Sequence, residues 1–402
     1  MKSSISFQVA LACLATAGCR GTPTYDKDVG PILARSCVRC HRAGGVARFP
    51  LLETGPQAVA AAKEIRLTVQ RRDMPPWLAD DSGTCRTFRD ALSLDNRDLT
   101  KIIKWTEAPE PGSSKARLQP PDEPLFGPAG AVVDQGVDWK PGVGPNAYRC
   151  FVADPHLAHD TRVTAFRVTS TDARSVAQVT LYALDTPQIE AEAEALDRAE
   201  EGPGYSCYGS SRVAGARLVT SWTWDSDVQR IPDGFGIRLG ASRKLVMQVH
   251  YDVLASGLDA PTRTRVELEL DPAVHEALFI DVSPARLNLA PGQKRVEVTA
   301  EAQTRSDVTV LGIAPRMRLL GQAMQVEVAR GDDRNCAARF DRWDVNRQRL
   351  FLYEKPLEVQ GSDLVRVSCV YTTQQRTVPV RSGEHIDDEQ CLASLLVAGL
   401  GR

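Results

Sequence analysis

The sequence predicts a multidomain chain in which an N-terminal all-α domain precedes two all-β sandwich domains. Three observations carry this: helical signals confined to about residues 25–106, a proline-rich stretch after them, and short alternating apolar runs from about residue 129 onward. At 402 residues the chain is too long for one ordinary core. Its 43% hydrophobic and 25% charged content are those of a globular protein. A formal net charge of −2 offers no basic excess to neutralise phosphates, so no nucleic-acid partner is expected.

Residues 1–19 read as an export signal. Lys2 precedes an apolar stretch from Ile5 to Ala17 that is too short to span a bilayer as a mature helix. The stretch ends in Ala15-Thr16-Ala17-Gly18-Cys19, which resembles a bacterial lipoprotein processing site, although Thr16 stands where such sites usually carry Leu. Cys19 is then the expected lipid anchor. The expected location is the periplasm, with attachment at the outer membrane.

Residues 24–107 form the expected helical domain. Ala58 to Val69 is an alanine-rich helical stretch that Pro75-Pro76 prevents from continuing. Ser93 is the expected cap of a second helix, whose Leu99, Ile102 and Ile103 fall on one face. Within this domain, Cys37-Val38-Arg39-Cys40-His41 is the most specific signal in the chain. Two thiols at this spacing form thioethers to both vinyl groups of a haem, and the next residue, His41, coordinates its iron. A zinc site needs further ligands nearby, and a redox Cys-x-x-Cys does not need the histidine. Met74, on the loop Asp73-Met74-Pro75-Pro76-Trp77, is the expected distal ligand, since a thioether there fills the sixth position and raises the reduction potential.

Residues 108–128, with Gly112, Ser113 and Ser114 amid prolines, read as an interdomain linker. Strand patterns follow at 163–168, 176–184, 245–251, 296–302, 308–313 and 364–371, separated by Gly, Pro, Asp and Ser clusters. In the run Leu245 to Tyr251, Leu245, Met247, Val249 and Tyr251 share one face, and Gln248 and His250 the other. The acidic, alanine-rich Gln188 to Glu201 reads as an exposed helical insertion. The two sandwiches are expected over 129–275 and 276–402. Six cysteines, Cys85, Cys150, Cys207, Cys336, Cys369 and Cys391, remain for disulfides in an oxidising compartment, where six allow fifteen connectivities.

Two resemblances extend this reading. Residues Asp26 to Trp105 resemble small cytochrome c domains found fused to other periplasmic modules. The likeness rests on Val29-Gly30-Pro31-Ile32-Leu33, the Cys-x-x-Cys-His, Phe49-Pro50-Leu51 and Met74-Pro75-Pro76-Trp77. The C-terminal part resembles the copper type II ascorbate-dependent monooxygenases, through Tyr148-Arg149-Cys150-Phe151, Pro232-Asp233-Gly234-Phe235-Gly236, Gln248-Val249-His250-Tyr251, Leu319-Leu320-Gly321, Trp343-Asp344-Val345-Asn346-Arg347-Gln348 and the segment from Gly383-Glu384 to Cys391. That resemblance implies two jelly-roll sandwiches carrying two copper centres, and disulfides Cys150–Cys207 and Cys369–Cys391. It leaves the partners of Cys85 and Cys336 open.

The ligand positions depart from the family. A His-His pair is replaced by Ala177-Gln178, a His-x-His by Arg316-Met317-Arg318, and a methionine by Gln390; His250 alone survives as a residual copper-ligand position. Arginine carries a fixed charge and has no lone pair to offer a cation. Haem c is therefore the expected cofactor and copper is not. The alternatives for Arg316 and Arg318 are an anion-binding pair or salt bridges. His156 and His159, in a polar loop, are too few ligands for a metal on their own. The function these readings imply is electron transfer to a periplasmic redox partner protein by a cytochrome whose monooxygenase-like module has lost copper and hydroxylase activity. The alternative is an active copper monooxygenase fed electrons through the haem.

Overall fold

The computed structural model describes residues 22–47, 49–142, 147–226, 228–252 and 260–399. The expected export signal and Cys19 lie outside them. No described helix is long and apolar enough to cross a membrane.

The β-rich part is built on one nine-stranded sheet. Along it run the strands Ala131–Asp134, Thr264–Leu270, Thr161–Ser170, Phe235–Leu239, His275–Val282, Leu392–Ala398, Val308–Arg316 and Phe351–Val359, with the short Gln229–Arg230 pairing on Thr161–Ser170. A five-stranded sheet of Tyr205–Ser206, Ala147–Ala153, Leu245–Tyr251, Val176–Ala183 and Arg217–Thr223 covers its first half. A four-stranded sheet of Val296–Gln303, Leu364–Tyr371, Gly321–Arg330 and Asp333–Phe340 covers its second half. Two β-sandwiches result, each with its own apolar core. The sandwiches share the long sheet: His275–Ala277 pairs in parallel with Phe235–Ile237. The boundary expected at 275/276 falls at the start of that joining strand.

The expected strand runs lie in strands, apart from Leu184 at the end of 176–184, and the helical insertion spans Pro187–Ala199, capped by Thr186. Its Ala193 is fully buried against the first sandwich. Every residue of Val176–Ala183 and of Leu245–Tyr251 is buried, although alternate residues point to opposite faces. One face packs into the first core. The other, which carries Gln178, Thr180 and His250, is roofed by the second sandwich: Gln178 Nε2 and Ser221 Oγ donate to the Gln348 carbonyl at 2.8 and 2.6 Å, and Gln229 Nε2 to that of Leu350 at 3.1 Å. The seam between the sandwiches is thus a polar layer in which these three donors are paired with backbone carbonyls across it.

The N-terminal part is less helical than expected. A π-helical turn (Tyr25–Val29) and helices Gly30–Ser36, Gly55–Ala60, Ala62–Gln70 and Asn96–Trp105 enclose a small core of Val29, Leu33, Ile65, Ile102 and Trp105, among others. The alanine-rich stretch is two helices meeting at Ala61, the first closed by a Thr54–Gln57 capping box. The last helix is capped by Asp95, which accepts from the Asp98 amide at 2.7 Å. Ser93 does not cap it; its hydroxyl donates to Asp81 at 2.6 Å, two residues too early to reach the helix amides. Between the helices the chain is loop, because Gly44, Gly45, Pro50, Pro75 and Pro76 interrupt the pattern.

Residues 77–92 leave this core altogether. Trp77, Ala79 and Phe88 pack into the second sandwich, Phe88 stacked on Tyr353 with ring centroids 5.0 Å apart. The Arg89 amide donates to the Leu352 carbonyl at 2.8 Å, and Asp80 pairs with Arg339 at 2.7 Å. A disulfide, Cys85–Cys336, fixes this strap to the sandwich. The other two disulfides are Cys150–Cys207 and Cys369–Cys391, as the resemblance implied.

Candidate functional site

The Cys-x-x-Cys-His segment continues the helix Gly30–Ser36 as a tight turn. The Cys37 amide donates to the Leu33 carbonyl at 2.9 Å, and the amides of Cys40 and His41 donate to the Cys37 carbonyl at 3.2 and 3.0 Å. Val38 anchors the turn, fully buried in the helical core. Residues three and four apart on a helical turn share a face. Cys37, Cys40 and His41 accordingly line one cavity, and both cysteines lie outside the three disulfides. His41 Nδ1 lies 2.7 Å from the Pro50 carbonyl oxygen. A carbonyl only accepts, so Nδ1 carries the proton and Nε2 keeps the ring's lone pair. Burial holds the His41 pKa below the usual histidine value, with the Pro50 contact opposing it.

Met74 lines the same cavity, half-buried, with its backbone amide directed at the Thr68 carbonyl. Its loop is held from the β side: Arg342 pairs with Asp73, and Arg347 Nη1 donates to the Pro76 carbonyl at 3.3 Å. The apolar wall comes from Val46, Leu52, Ile65, Val69 and Leu92. The cavity measures about 610 Å³, within the roughly 300–1,000 Å³ of cofactor pockets.

The sequence did not announce the far wall. It belongs to the sandwiches: Arg174, Ala177, Trp224, Asp252, Asp344 and Arg347. Arg347 is oriented by Asp344 at 2.7 Å and lies 4.9 Å above the Trp224 ring. Trp343 to Gln348 was legible as a motif, but nothing in it points across the chain to a pocket built around Cys37.

The positions matched to copper ligands also converge. Gln178 pairs with His250 across adjacent strands. Gln178, Arg316, Met317, Arg318 and Gln390 line one small cavity at the seam. His250 is 1% exposed and stacks on Tyr148 with ring centroids 4.1 Å apart; burial lowers its pKa to about 3. Arg316 donates to the Tyr182 hydroxyl at 2.7 Å, and Arg318 to the His385 carbonyl at 2.7 Å. Among the described residues, no three His, Cys, Asp or Glu side chains gather into a set able to hold a metal. His156 lies in a surface loop, its backbone amide bonded to Asp154.

Residues 283–396 match the family described as copper type II ascorbate-dependent monooxygenase, C-terminal domain. The chain is 21% identical over 202 residues to peptidyl-glycine alpha-amidating monooxygenase A of Xenopus laevis, covering 46% of this chain and 20% of that protein. It is 23% identical over 188 residues to peptidylglycine alpha-amidating monooxygenase of Rattus norvegicus, covering 44% of this chain and 18% of that protein. It therefore spans no more than a fifth of either relative. Among solved structures, PNGF-II aligns at 8% identity and a TM-score of 0.29, over 69% of this chain and 65% of that one, a likeness too low to carry an argument. The β-rich part of this chain carries a copper-monooxygenase-like module.

Proposed function

We propose that the cavity around Cys37 holds a covalently attached c-type haem, and that the protein is an exported electron-transfer cytochrome whose monooxygenase-like module no longer binds copper. The observation that carries the reading is the convergence of Cys37, Cys40, His41 and Met74, from two separate segments, on one cofactor-sized apolar cavity. Cys37 and Cys40 would form the thioethers, and His41 Nε2 and Met74 Sδ are the donors that would hold its iron. Bound there, the group supplies a one-electron iron couple whose potential a thioether ligand raises.

This chain's own residues do the rest. Val38 and the Leu33 carbonyl fix the thiol-bearing turn, and Pro50 fixes the tautomer of His41. Ile65, Val69 and Leu92 exclude water, and Arg347 and Arg342 hold the Met74 loop against the second sandwich. Jelly-roll topology, periplasmic location, a lipid anchor on Cys19 and a periplasmic redox partner protein belong to the same proposal. Loss of copper is supported by the residues at the ligand positions: two arginines and two glutamines cannot replace imidazole and thioether donors.

The test is iron, copper and intact mass on one sample of the chain matured in a periplasm. The expected result is one iron per chain, no stoichiometric copper and the added mass of one porphyrin. Absence of that mass removes the haem reading. Two tightly bound coppers would instead restore the hydroxylase alternative.

A further inference from the structure

Arg316 ends the strand Val308–Arg316 and Arg318 lies two residues beyond it; they are 7% and 3% exposed. Every side-chain hydrogen bond they make among the described residues goes to a neutral oxygen: the Tyr182 hydroxyl, the His385 carbonyl and, at 3.3 Å, the Tyr208 carbonyl. Arg316 Nη2 and Arg318 Nε are buried donors without any partner. Arginine cannot shed its proton to escape this situation, and burying fixed cations without a counter-charge is among the costliest arrangements in a folded chain.

The nearby carboxyl is Glu389, and its oxygens are already occupied. They accept from the backbone amides of Arg318, of Leu320 at 2.9 Å and of Gln390 at 2.8 Å. Burial raises its pKa, while those three amides and the charge of Arg318 oppose the rise. The other polar groups on the wall of the cavity that Arg316 and Arg318 line are neutral amides and phenols, Gln178, Gln248 and Gln390 among them. The cavity itself is about 10 Å³, roughly the room one water-sized sphere needs. Gly209 sets its tightness: a Cβ there, at φ +73°, would lie 2.5 Å from Arg318 Nη2.

We propose that Arg316 and Arg318 hold one monoatomic anion, a halide, at the seam between the two sandwiches. Phosphate, sulfate and carboxylates are too large for the space. A water would satisfy the open donors but would leave two buried guanidinium charges facing the single carboxyl of Glu389. Because Arg316 also donates to Tyr182 of the first sandwich, the ion clamps the two sandwiches together. The positions that resemble cation ligands in a copper-monooxygenase-like module here build the opposite kind of site, and this inference stands whether or not haem is bound.

The experiment uses the full chain, with bromide as the probe. Crystals soaked in bromide are expected to give one anomalous peak between Arg316 Nη2 and Arg318 Nε. Melting at constant ionic strength, with acetate progressively exchanged for chloride, is expected to show a saturable rise in melting temperature. That rise should vanish in Arg316→Gln and in Arg318→Gln. A site with water and no anomalous signal would overturn the proposal, as would identical melting in acetate and chloride, or an undiminished chloride response in a folded Arg316→Gln. Should Arg316→Gln not fold, the bromide soak of the wild-type chain decides alone.

Discussion

Truncating Phe88 to alanine probes the coupling between the helical segment and the second sandwich. Phe88 is 1% exposed, stacked on Tyr353 and edge-on to Phe351 at 5.6 Å, and is the fully buried aromatic that its segment places in this core, beside the partly buried Trp77. Removing a buried phenyl ring from such a site costs about 3–5 kcal/mol, because the cavity collapses only in part. The Cys85–Cys336 disulfide, three residues away, keeps the strap tethered, so the loss should appear as local loosening followed by a lower global midpoint. The consequence reaches the cavity around Cys37, since the strap follows directly on Pro76, whose carbonyl Arg347 holds. Urea unfolding monitored by near-ultraviolet circular dichroism, with hydrogen exchange resolved over residues 77–92, measures both effects. Expected are a midpoint shift equivalent to about 3–5 kcal/mol and early loss of protection at the Arg89 amide. A shift below about 1 kcal/mol, or wild-type protection across the strap, would refute the claim that Phe88 anchors it.

Other outcomes follow from the same geometry. With the proposed haem attached, Met74→Ala should lower the reduction potential and let added imidazole bind the iron; an unchanged potential and spectrum would remove Met74 from the ligand role proposed for it. Replacing both Cys85 and Cys336 by serine should destabilise the chain by about 2–5 kcal/mol in denaturant titration, whereas an unaltered midpoint would mean the strap is held by packing alone. Burial puts the His250 pKa near 3, against roughly 6.5 when unfolded, so the unfolded chain binds an extra proton between those values. Its stabilising effect is complete above about pH 6.5 and is lost as pH falls towards 3, by about 5 kcal/mol. Glu389, raised to about 7, works in the opposite sense: its contribution is present at low pH and is lost as pH rises through 7. His250→Phe should therefore flatten the acid limb of a stability–pH profile, and an unaltered slope would contradict the burial argument. Gly209→Ala should cost about 1–3 kcal/mol by thermal melting, since the new methyl displaces the Arg318 guanidinium and strains a left-handed backbone; a neutral result would show that Arg318 moves aside freely.

Where the physics is local, the sequence was readable. The turn that gathers Cys37, Cys40 and His41 needs only helical spacing, and the strand runs needed only alternation. Ser93 was misread because a cap depends on where the first free amides fall, and that was set two residues later, at Asp95. The uniformly helical N-terminal part was misread because residues 77–92 have the apolar content of a core element but belong to a different core. No local pattern distinguishes the two cases, since burial is decided by whichever surface the segment meets.

By itself the sequence determined the Cys-x-x-Cys-His turn, the β-rich character of the C-terminal part, and the arginines and glutamines at the positions matched to copper ligands. Only the tertiary structure decided what those residues face. It joined the sandwiches through one long sheet, paired Cys85 with Cys336, set Arg174, Trp224 and Arg347 as the far wall of the Cys37 cavity, and enclosed Arg316 and Arg318 with an open donor on each. The physical reason is that spacing along a chain fixes direction only over a few residues. Contacts between residues hundreds of positions apart are selected by the burial of whole faces, which no single segment encodes.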